Sequence, residues 1–339
     1  MGAHDLTGEI AALLASGEHR TAEITLEPCA AGGNNRVFLV HAGERRLIAK
    51  WYFSHPSDTR DRLRAEYSLL QYAEKLGLGC VPRPVSCDPA AHLALYEYID
   101  GRKLSTDEVG EHEVNSALAF FLALNDPAHR DLTTDLPPAS EARFSLTDHF
   151  DMVERRIGQL AGIAPETDID REAQAFVTGM SDRWEALKAG VKRGARDLGL
   201  EPDASLADSD RCISPSDFGF HNALSTRERG LVFIDFEYAG WDDPAKLAND
   251  FFCQPAVPVN ACLYEDFVER AMRFSANAAL LVDRAHLMRP IFQLKWCCIV
   301  LNNFLPVAAQ RRRFADPSFN GAERKVAQLA LARHRFSAI

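Results

Sequence analysis

The stretch that most restricts the fold of this chain runs from residue 214 to residue 237, where polar residues stand between short apolar segments. Asp217 is followed five residues later by Asn222, and Asp235 ends the apolar run 231–234. Segments 223–224 and 231–234 have the pattern of two short strands, and the polar stretch 226–230 between them ends in glycine, as hairpin connections do. Such a hairpin brings Asn222 and Asp235 to the same end.

These three side chains are of the types that phosphoryl transfer needs. One carboxylate must face the attacking hydroxyl, while oxygen ligands hold Mg²⁺ against the phosphates of a nucleotide. Asp217 suits the first role, and Asn222 and Asp235 suit the second. An isolated Asp and Asn at this spacing are more often turn residues. The interpretation therefore depends on the linked Asp235.

A specific family resemblance follows from these residues. The segment from Asp217 to Asn222, with the run Phe-Ile-Asp-Phe-Glu-Tyr-Ala-Gly-Trp-Asp-Asp-Pro at 233–244, resembles the aminoglycoside phosphotransferase and choline kinase family, relatives of the protein kinases. The resemblance implies that Asp217 is the catalytic base and that Asn222 and Asp235 bind Mg²⁺. We expect ATP as the nucleotide, with GTP as the alternative.

A lysine and a glutamate upstream fit the same resemblance. Lys50 ends the strand-like run Leu-Ile-Ala-Lys, similar to the V-A-I-K strand of kinases, whose lysine meets the nucleotide phosphates. The next segment, 59–76, has helical periodicity and carries Glu66. We expect Glu66 to reach back to Lys50 and hold its ammonium group against the phosphates.

The turn at 30–35 is a candidate phosphate cover. Gly32, Gly33 and Asn34 tolerate the positive φ angles that let backbone N–H groups converge on an anion. A hairpin turn without a ligand is the alternative. The downstream motif favours the phosphate cover.

The strand-like segment 92–99 ends in a polar turn. In the family that the chain resembles, the crossover between the two lobes lies here, and its backbone groups read the adenine edge. By this resemblance Glu97, Tyr98 and Ile99 form the hinge. A strand that simply leaves a sheet would have the same sequence.

The sequence departs from the family pattern at three positions. Pro215 stands where a histidine usually precedes the catalytic aspartate, Asn125 replaces a histidine after the hinge, and Lys246 replaces an aspartate that steadies the catalytic loop. These residues brace the loop in relatives and do not bind phosphate. The departures therefore concern loop geometry first.

Further residues after the second motif have structural or acceptor-binding interpretations. Asp243 before Pro244 has the pattern of a helix N-cap. Asp242, Glu237 and Asp250 are candidates for contacts with the acceptor or with other site residues. Helical periodicity predicts long helices over 264–281 and 284–304.

Composition excludes several other classes of function. The 339 residues carry a formal net charge of -10, which argues against a nucleic-acid partner. The eight cysteines form no C-x-x-C pair, as expected of thiols in a reducing cytoplasm. Neither a secretory signal nor an apolar stretch of membrane-spanning length is apparent, so we expect a cytoplasmic protein without membrane association.

Together these features predict an α+β, bilobal protein-kinase-like fold. We expect a small antiparallel sheet with one main helix over 1–99, binding the nucleotide, and a larger, mostly helical lobe over 100–339, binding the acceptor. The predicted activity is transfer of the γ-phosphate of ATP to a hydroxyl of a small molecule. A nucleotide-binding pseudokinase and a nucleotidyl transferase on the same scaffold are alternatives. The acceptor stays open among amino alcohols, aminoglycosides, sugars and nucleosides, as does ATP versus GTP.

Overall fold

The computed structural model of the chain describes residues 3–15, 24–29, 35–54, 60–133, 135–305 and 321–339. These residues form two compact units. The first comprises the described parts of Met1–Ser140 together with Ile213–Trp241, and the second comprises Glu141–Cys212 with Asp242–Ile339. The predicted division at residue 100 falls within the first unit and stays a prediction.

A five-stranded antiparallel sheet dominates the first unit. Its strands stand in the order β1-β2-β3-β5-β4. Their bounds are Ile24–Pro28 for β1, Arg36–Ala42 for β2, Arg45–Trp51 for β3, Pro84–Asp88 for β4 and Leu93–Glu97 for β5. In the centre of this sheet, Lys50 of β3 pairs with Val37 of β2 and with Ala94 of β5.

The two faces of β3 have different surroundings, because side chains alternate between the faces along a strand. Leu47 and Ala49 are buried in an apolar cluster with the helix α1, Ala3–Ala15, which contributes Leu6 and Ile10. Lys50 is the next residue along the strand. Its side chain therefore leaves the sheet on the face opposite this cluster.

Helix α2, Arg62–Lys75, lies within the segment 59–76 whose periodicity predicts a helix. Asp61 is the N-cap, and its side chain accepts a hydrogen bond from the Arg64 backbone N–H at 3.0 Å. After the C-terminus, Gly77 has φ +69°, a left-handed conformation that glycine adopts without steric cost. Gly77 therefore allows the chain to turn away where the helix ends.

The first unit also contains a second, three-stranded sheet. Strands β6 (Arg102–Lys103), β8 (Ala223–Thr226) and β9 (Gly230–Phe233) pair in the order β6-β8-β9. The β8–β9 hairpin is the one that the sequence predicts. Helix α3 is Glu111–Leu124, and two further short strands are β7, Cys212–Ser214, and β10, Gly240–Asp242.

The second unit is built from helices. They are α4 (Leu146–Ala161), α5 (Asp168–Asp197), α6 (Pro244–Cys253), α7 (Tyr264–Ala271), α8 (Ala278–Leu301) and α9 (Gly321–Phe336). The predicted N-cap is confirmed, because the Asp243 side chain accepts a hydrogen bond from the Ala245 backbone N–H at the start of α6. None of the described helices is long and apolar enough to cross a membrane.

The predicted helix over 264–281 is wrong. Helix α7 ends at Ala271 and α8 begins at Ala278. Between them, Ser275 donates a hydrogen bond to Asp210 at 2.6 Å, and Asn277 donates to both carboxylate oxygens of Asp210. These contacts with a residue far away in the chain fix the break, although the apolar spacing continues through it.

Candidate active site

The ammonium group of Lys50 lies between two carboxylates. Its Nζ atom is 2.7 Å and 3.0 Å from the two oxygens of Glu66 on α2 and 2.9 Å from Oδ1 of Asp235. A lysine has three N–H donors, so both partners together engage all of them. Burial lowers the pKa of Lys50, but Asp235 and Glu66 outweigh it and hold the pKa above its usual value.

Two tyrosines hold the far side of Glu66. The Tyr52 hydroxyl donates to Oε2 of Glu66 at 2.7 Å, and the Tyr96 hydroxyl lies 2.7 Å from that of Tyr52. Only 3% of the Glu66 side chain is exposed, and burial raises its pKa despite the nearby Lys50. A buried hydrogen-bonded chain thus runs from Tyr96 through Tyr52 and Glu66 to Lys50.

Asp217 lies in a tightly bent segment after β7. Ser216 has φ +67°, which is uncommon for a residue other than glycine, and its backbone N–H donates to the Ser214 hydroxyl at 2.9 Å. The bend leaves 42% of the Asp217 side chain exposed. Nε2 of His221 lies 3.3 Å from Oδ1 of Asp217.

The β8–β9 hairpin brings Asn222 and Asp235 together. Ala223 pairs with Phe233, and the Ile234 backbone N–H donates to the Asn222 carbonyl at 2.9 Å. Asp235 then has φ +69°. Positive φ at both Ser216 and Asp235 marks local backbone strain of the kind found at functional sites.

Oxygen atoms of both residues are uncommitted. The Asn222 Nδ2 atom donates to the Asp217 carbonyl at 3.1 Å, and within the part of the chain that the structure describes, Oδ1 of Asn222 and Oδ2 of Asp235 accept no hydrogen bond. Burial would raise the pKa of Asp235, but Lys50 and, to a lesser degree, Lys103 and His221 keep it below its usual value. An amide oxygen beside an ionised carboxylate suits a hard cation such as Mg²⁺.

No group of three or more His, Cys, Asp or Glu side chains suited to a metal occurs among the described residues. A protein that binds Mg²⁺ commonly supplies only one or two carboxylates, because phosphates and water complete the octahedron. Asn222 and Asp235 therefore fit Mg²⁺ held jointly with a nucleotide.

Aromatic packing and one asparagine hold this loop. Phe120 of α3 stacks on Phe233 with ring centroids 5.1 Å apart, and it also contacts Phe218 and Phe236, the residues that follow the two aspartates. Asn125 accepts from the Ile213 backbone N–H at 2.7 Å and donates to the Ile213 carbonyl at 2.9 Å. Asn125 therefore braces the segment that leads to Asp217.

The predicted hinge follows directly after β5, an interior strand of the five-stranded sheet. Glu97 ends β5, and its backbone N–H donates to the Arg83 carbonyl, while Tyr98 and Ile99 follow without regular structure. Arg229 of the β8–β9 turn contacts Oε1 of Glu97 at 3.1 Å. The nucleotide-reading role of the hinge stays a prediction.

The predicted phosphate cover, Gly32, Gly33 and Asn34, lies outside the described residues. The next residue, Asn35, donates to Oε2 of Glu237 at 2.5 Å and accepts from the Phe53 backbone N–H at 3.3 Å. Asn35 thus connects the start of β2 to the segment that carries Asp235.

The three acidic candidates for acceptor contacts all have partners. Glu237 contacts Asn35, as described above. In the second unit, Asp242 is paired with Lys246 at 2.5 Å, and Asp250 is bound by Lys295 at 2.8 Å. The Trp296 indole N–H also donates to Asp250 at 2.8 Å.

Lys103 and His221 also lie near Asn222, although the sequence motifs did not assign them to the site. The Lys103 Nζ atom donates to the His221 carbonyl at 2.6 Å, next to Asn222 in the chain. Two signals were available in the sequence. A basic residue follows the hinge turn directly, and a histidine adjoins the motif asparagine.

Comparison with known proteins identifies the family of the chain. The sequence profile of the phosphotransferase enzyme family, APH, matches residues 25–256. The chain therefore belongs to this family, which confirms the prediction that it is a phosphotransferase enzyme. No curated protein sequence matches the chain with significance.

Solved structures of kinases share the fold. Choline kinase from Cryptosporidium parvum Iowa II is 12% identical with a TM-score of 0.60, and the match covers 99% of this chain and 96% of that one. A choline/ethanolamine kinase family protein from Mesorhizobium loti is 20% identical with a TM-score of 0.55, covering 98% and 97%. Spectinomycin phosphotransferase APH(9)-Ia, in complex with ADP and spectinomycin, is 12% identical with a TM-score of 0.59, covering 97% and 98%.

These similarities confirm the predicted fold class. The chain has the mixed α+β, kinase-like fold of aminoglycoside phosphotransferases and choline kinases, with a small antiparallel sheet in the N-terminal region and a larger helical part.

Proposed function

We propose that the chain transfers the γ-phosphate of ATP to a hydroxyl group of a small-molecule acceptor. The observation that carries the proposal is the bridge of Lys50 between Glu66 and Asp235. Kinases use such a lysine to hold nucleotide phosphates and such an aspartate to hold Mg²⁺. The same hairpin presents Asn222 beside Asp235.

Each side chain has a defined task in this proposal. Lys50 exchanges its bond with Asp235 for a phosphate oxygen, while Glu66 keeps the ammonium group in place. Asp217, the most exposed of the three carboxylates, accepts the proton of the acceptor hydroxyl and aligns its oxygen with the phosphorus atom. The strained backbone at Ser216 holds Asp217 in its outward orientation.

Asn222 and Asp235 would hold Mg²⁺ through the two oxygens that accept no hydrogen bond within the described residues. When bound, the cation neutralises charge on the phosphates during transfer. The protein residues determine where the phosphates lie relative to Asp217.

The solved kinases suggest acceptors to try first. They include choline and ethanolamine kinases and phosphotransferases in complexes with spectinomycin, streptomycin or gentamicin. The pairing of Asp242 and Asp250 with lysines means that these carboxylates offer an ammonium-bearing acceptor little uncompensated charge. We therefore include uncharged sugars and nucleosides in the acceptor panel.

The test is acceptor-dependent release of ADP from ATP with Mg²⁺ across that panel, repeated with GTP. We expect one acceptor class to stimulate ADP release and to become phosphorylated, as detected by mass spectrometry. Pyrophosphate in place of ADP would identify a nucleotidyl transferase instead. Nucleotide binding without turnover on any acceptor would favour the pseudokinase alternative.

The variant Asp217→Asn tests the base. We expect kcat on the best acceptor to fall by roughly 10²- to 10⁴-fold, the usual contribution of a positioned general base, with the nucleotide Kd nearly unchanged. Asp107→Asn is the matched control, because Asp107 is an exposed carboxylate outside the site. Full turnover by Asp217→Asn would refute the assignment.

A further inference from the structure

We propose that Lys103 is a second phosphate-binding cation of this site, whose ammonium group contacts the phosphate chain of the bound nucleotide. The inference rests on the proposed function, because it presumes that the phosphates of a nucleotide bind at Lys50 and Asp235. It adds a residue that the sequence motifs do not indicate.

The fold fixes Lys103 beside the metal-binding hairpin. Lys103 belongs to β6 and pairs with Leu224 of β8, two residues after Asn222. Its Nζ atom donates to the His221 carbonyl at 2.6 Å. The backbone ladder and this hydrogen bond together hold the ammonium group at the end of the hairpin where Asn222 lies.

The charge of Lys103 acts on the same residues as the charge of Lys50. Partial burial and the charge of Lys50 lower the pKa of Lys103, whereas Asp235 raises it, and Lys103 and Lys50 both lower the pKa of Asp235. Three carboxylates, those of Glu66, Asp217 and Asp235, belong to the site. A nucleotide adds more negative charge, which a second cation offsets.

The donors of Lys103 are better placed for a ligand than those of Lys50. All three N–H groups of Lys50 are engaged by Glu66 and Asp235. The ammonium group of Lys103 makes one hydrogen bond within the described residues, which leaves two of its three N–H donors for a ligand. The side chain of Lys50 is mostly buried, whereas Lys103 is an exposed residue. Lys103 can therefore donate to a phosphate without giving up an ion pair.

A purely structural role is the competing explanation. The bond from Lys103 to the His221 carbonyl could fasten β6 to the loop without any contact with a ligand. The two roles predict different ligand dependence. Loss of a phosphate contact weakens the binding of ligands that carry phosphates. Loss of a purely structural contact weakens the binding of every ligand of the site, including the nucleoside.

The experiment measures Kd by isothermal titration calorimetry with adenosine, ADP and AMP-PNP in the presence of Mg²⁺. The proteins are wild type, Lys103→Met, Lys103→Arg and Lys75→Met. Lys75 ends α2 and is exposed, so its replacement removes one positive charge from the same unit outside the site.

We expect Lys103→Met to weaken ADP and AMP-PNP binding by about tenfold or more, the scale of one charge-assisted hydrogen bond. Adenosine binding should be unchanged, and Lys103→Arg, which keeps the charge, should retain most of the affinity. Lys75→Met should match wild type for all three ligands.

Three results would overturn the assignment. Lys103→Met could bind ADP and AMP-PNP as wild type does, or it could lose adenosine affinity to the same degree, or Lys103→Arg could lose as much as Lys103→Met. Failure of wild type to bind any of the three ligands would refute the proposed function itself, and with it this role for Lys103.

Discussion

Replacement of Glu66 by glutamine tests whether the buried carboxylate acts through Lys50. Glutamine has nearly the same shape as glutamate, so Glu66→Gln removes the negative charge and leaves the packing of α2 intact. Glu66 accepts two hydrogen bonds from Lys50 and one from Tyr52. The introduced amide has one acceptor oxygen where the carboxylate has two, so one of the bonds from Lys50 is lost.

The structure sets the size of the effect. A hydrogen bond between charged groups contributes about 1.5–3 kcal/mol, and the neutral carbonyl of glutamine replaces only one of the two bonds from Lys50. If that loss falls on the transition state, kcat/KM for the nucleotide decreases roughly 10- to 150-fold. The loss of transition-state stabilisation should exceed any decrease in the free energy of unfolding, because Asp235 still pairs with Lys50.

The assay is kcat/KM for ATP at saturating acceptor, measured for Glu66→Gln, Lys50→Met and the double variant. The matched control is Glu74→Gln, an exposed glutamate on the same helix. If Glu66 works through Lys50, the substitution at 66 should add little once Lys50 is absent. Full additivity of the two effects, or a Glu66→Gln enzyme within about threefold of wild type, would refute the reasoning.

Two further predictions concern the framework around the site. Asn125→Ala removes both hydrogen bonds to the Ile213 backbone and should lower the free energy of unfolding by about 1–3 kcal/mol in urea titrations, with a fall in kcat; unchanged stability would contradict the bracing role. Burial lowers the pKa of His149, so between pH 6.5 and its lower folded value the unfolded state binds more protons. Stability should therefore fall on acidification from about pH 7 to about pH 5, by at most about 1.4 kcal/mol per pH unit from this group, and His149→Gln should reduce that slope even if it is less stable throughout. An identical slope in His149→Gln would assign the pH dependence to other groups.

The site combines residues that local sequence reveals with residues that it does not. The pairing of Asn222 and Asp235 follows from a hairpin of a few residues, so the strand pattern alone predicts their proximity. The contact of Lys50 with Glu66 follows from a strand and the next helix. In contrast, Tyr96 reaches the Tyr52 hydroxyl, and through it Glu66, only because the sheet places β5 beside β3.

Departures from the family pattern show the same limit. Asn125 stands where the family resemblance predicts a histidine, but its hydrogen bonds to Ile213, 88 positions away, are visible only in the fold. Lys246 stands where the family resemblance predicts an aspartate, and the structure places its ammonium group between Asp242 and Asp250. The helix predicted over 264–281 failed because Asp210 fixes a break that hydrophobic spacing does not record.

The sequence by itself determined the class of enzyme, the main strands and helices, and the candidate residues for base, metal and phosphate, because each depends on neighbours in the chain or on a short motif. Tertiary structure decided which charges neutralise one another and which side chains keep donors for a ligand. The partners of Lys50, Lys103 and Asp250 come from separate elements, and contacts between distant segments leave no periodic signal in the sequence.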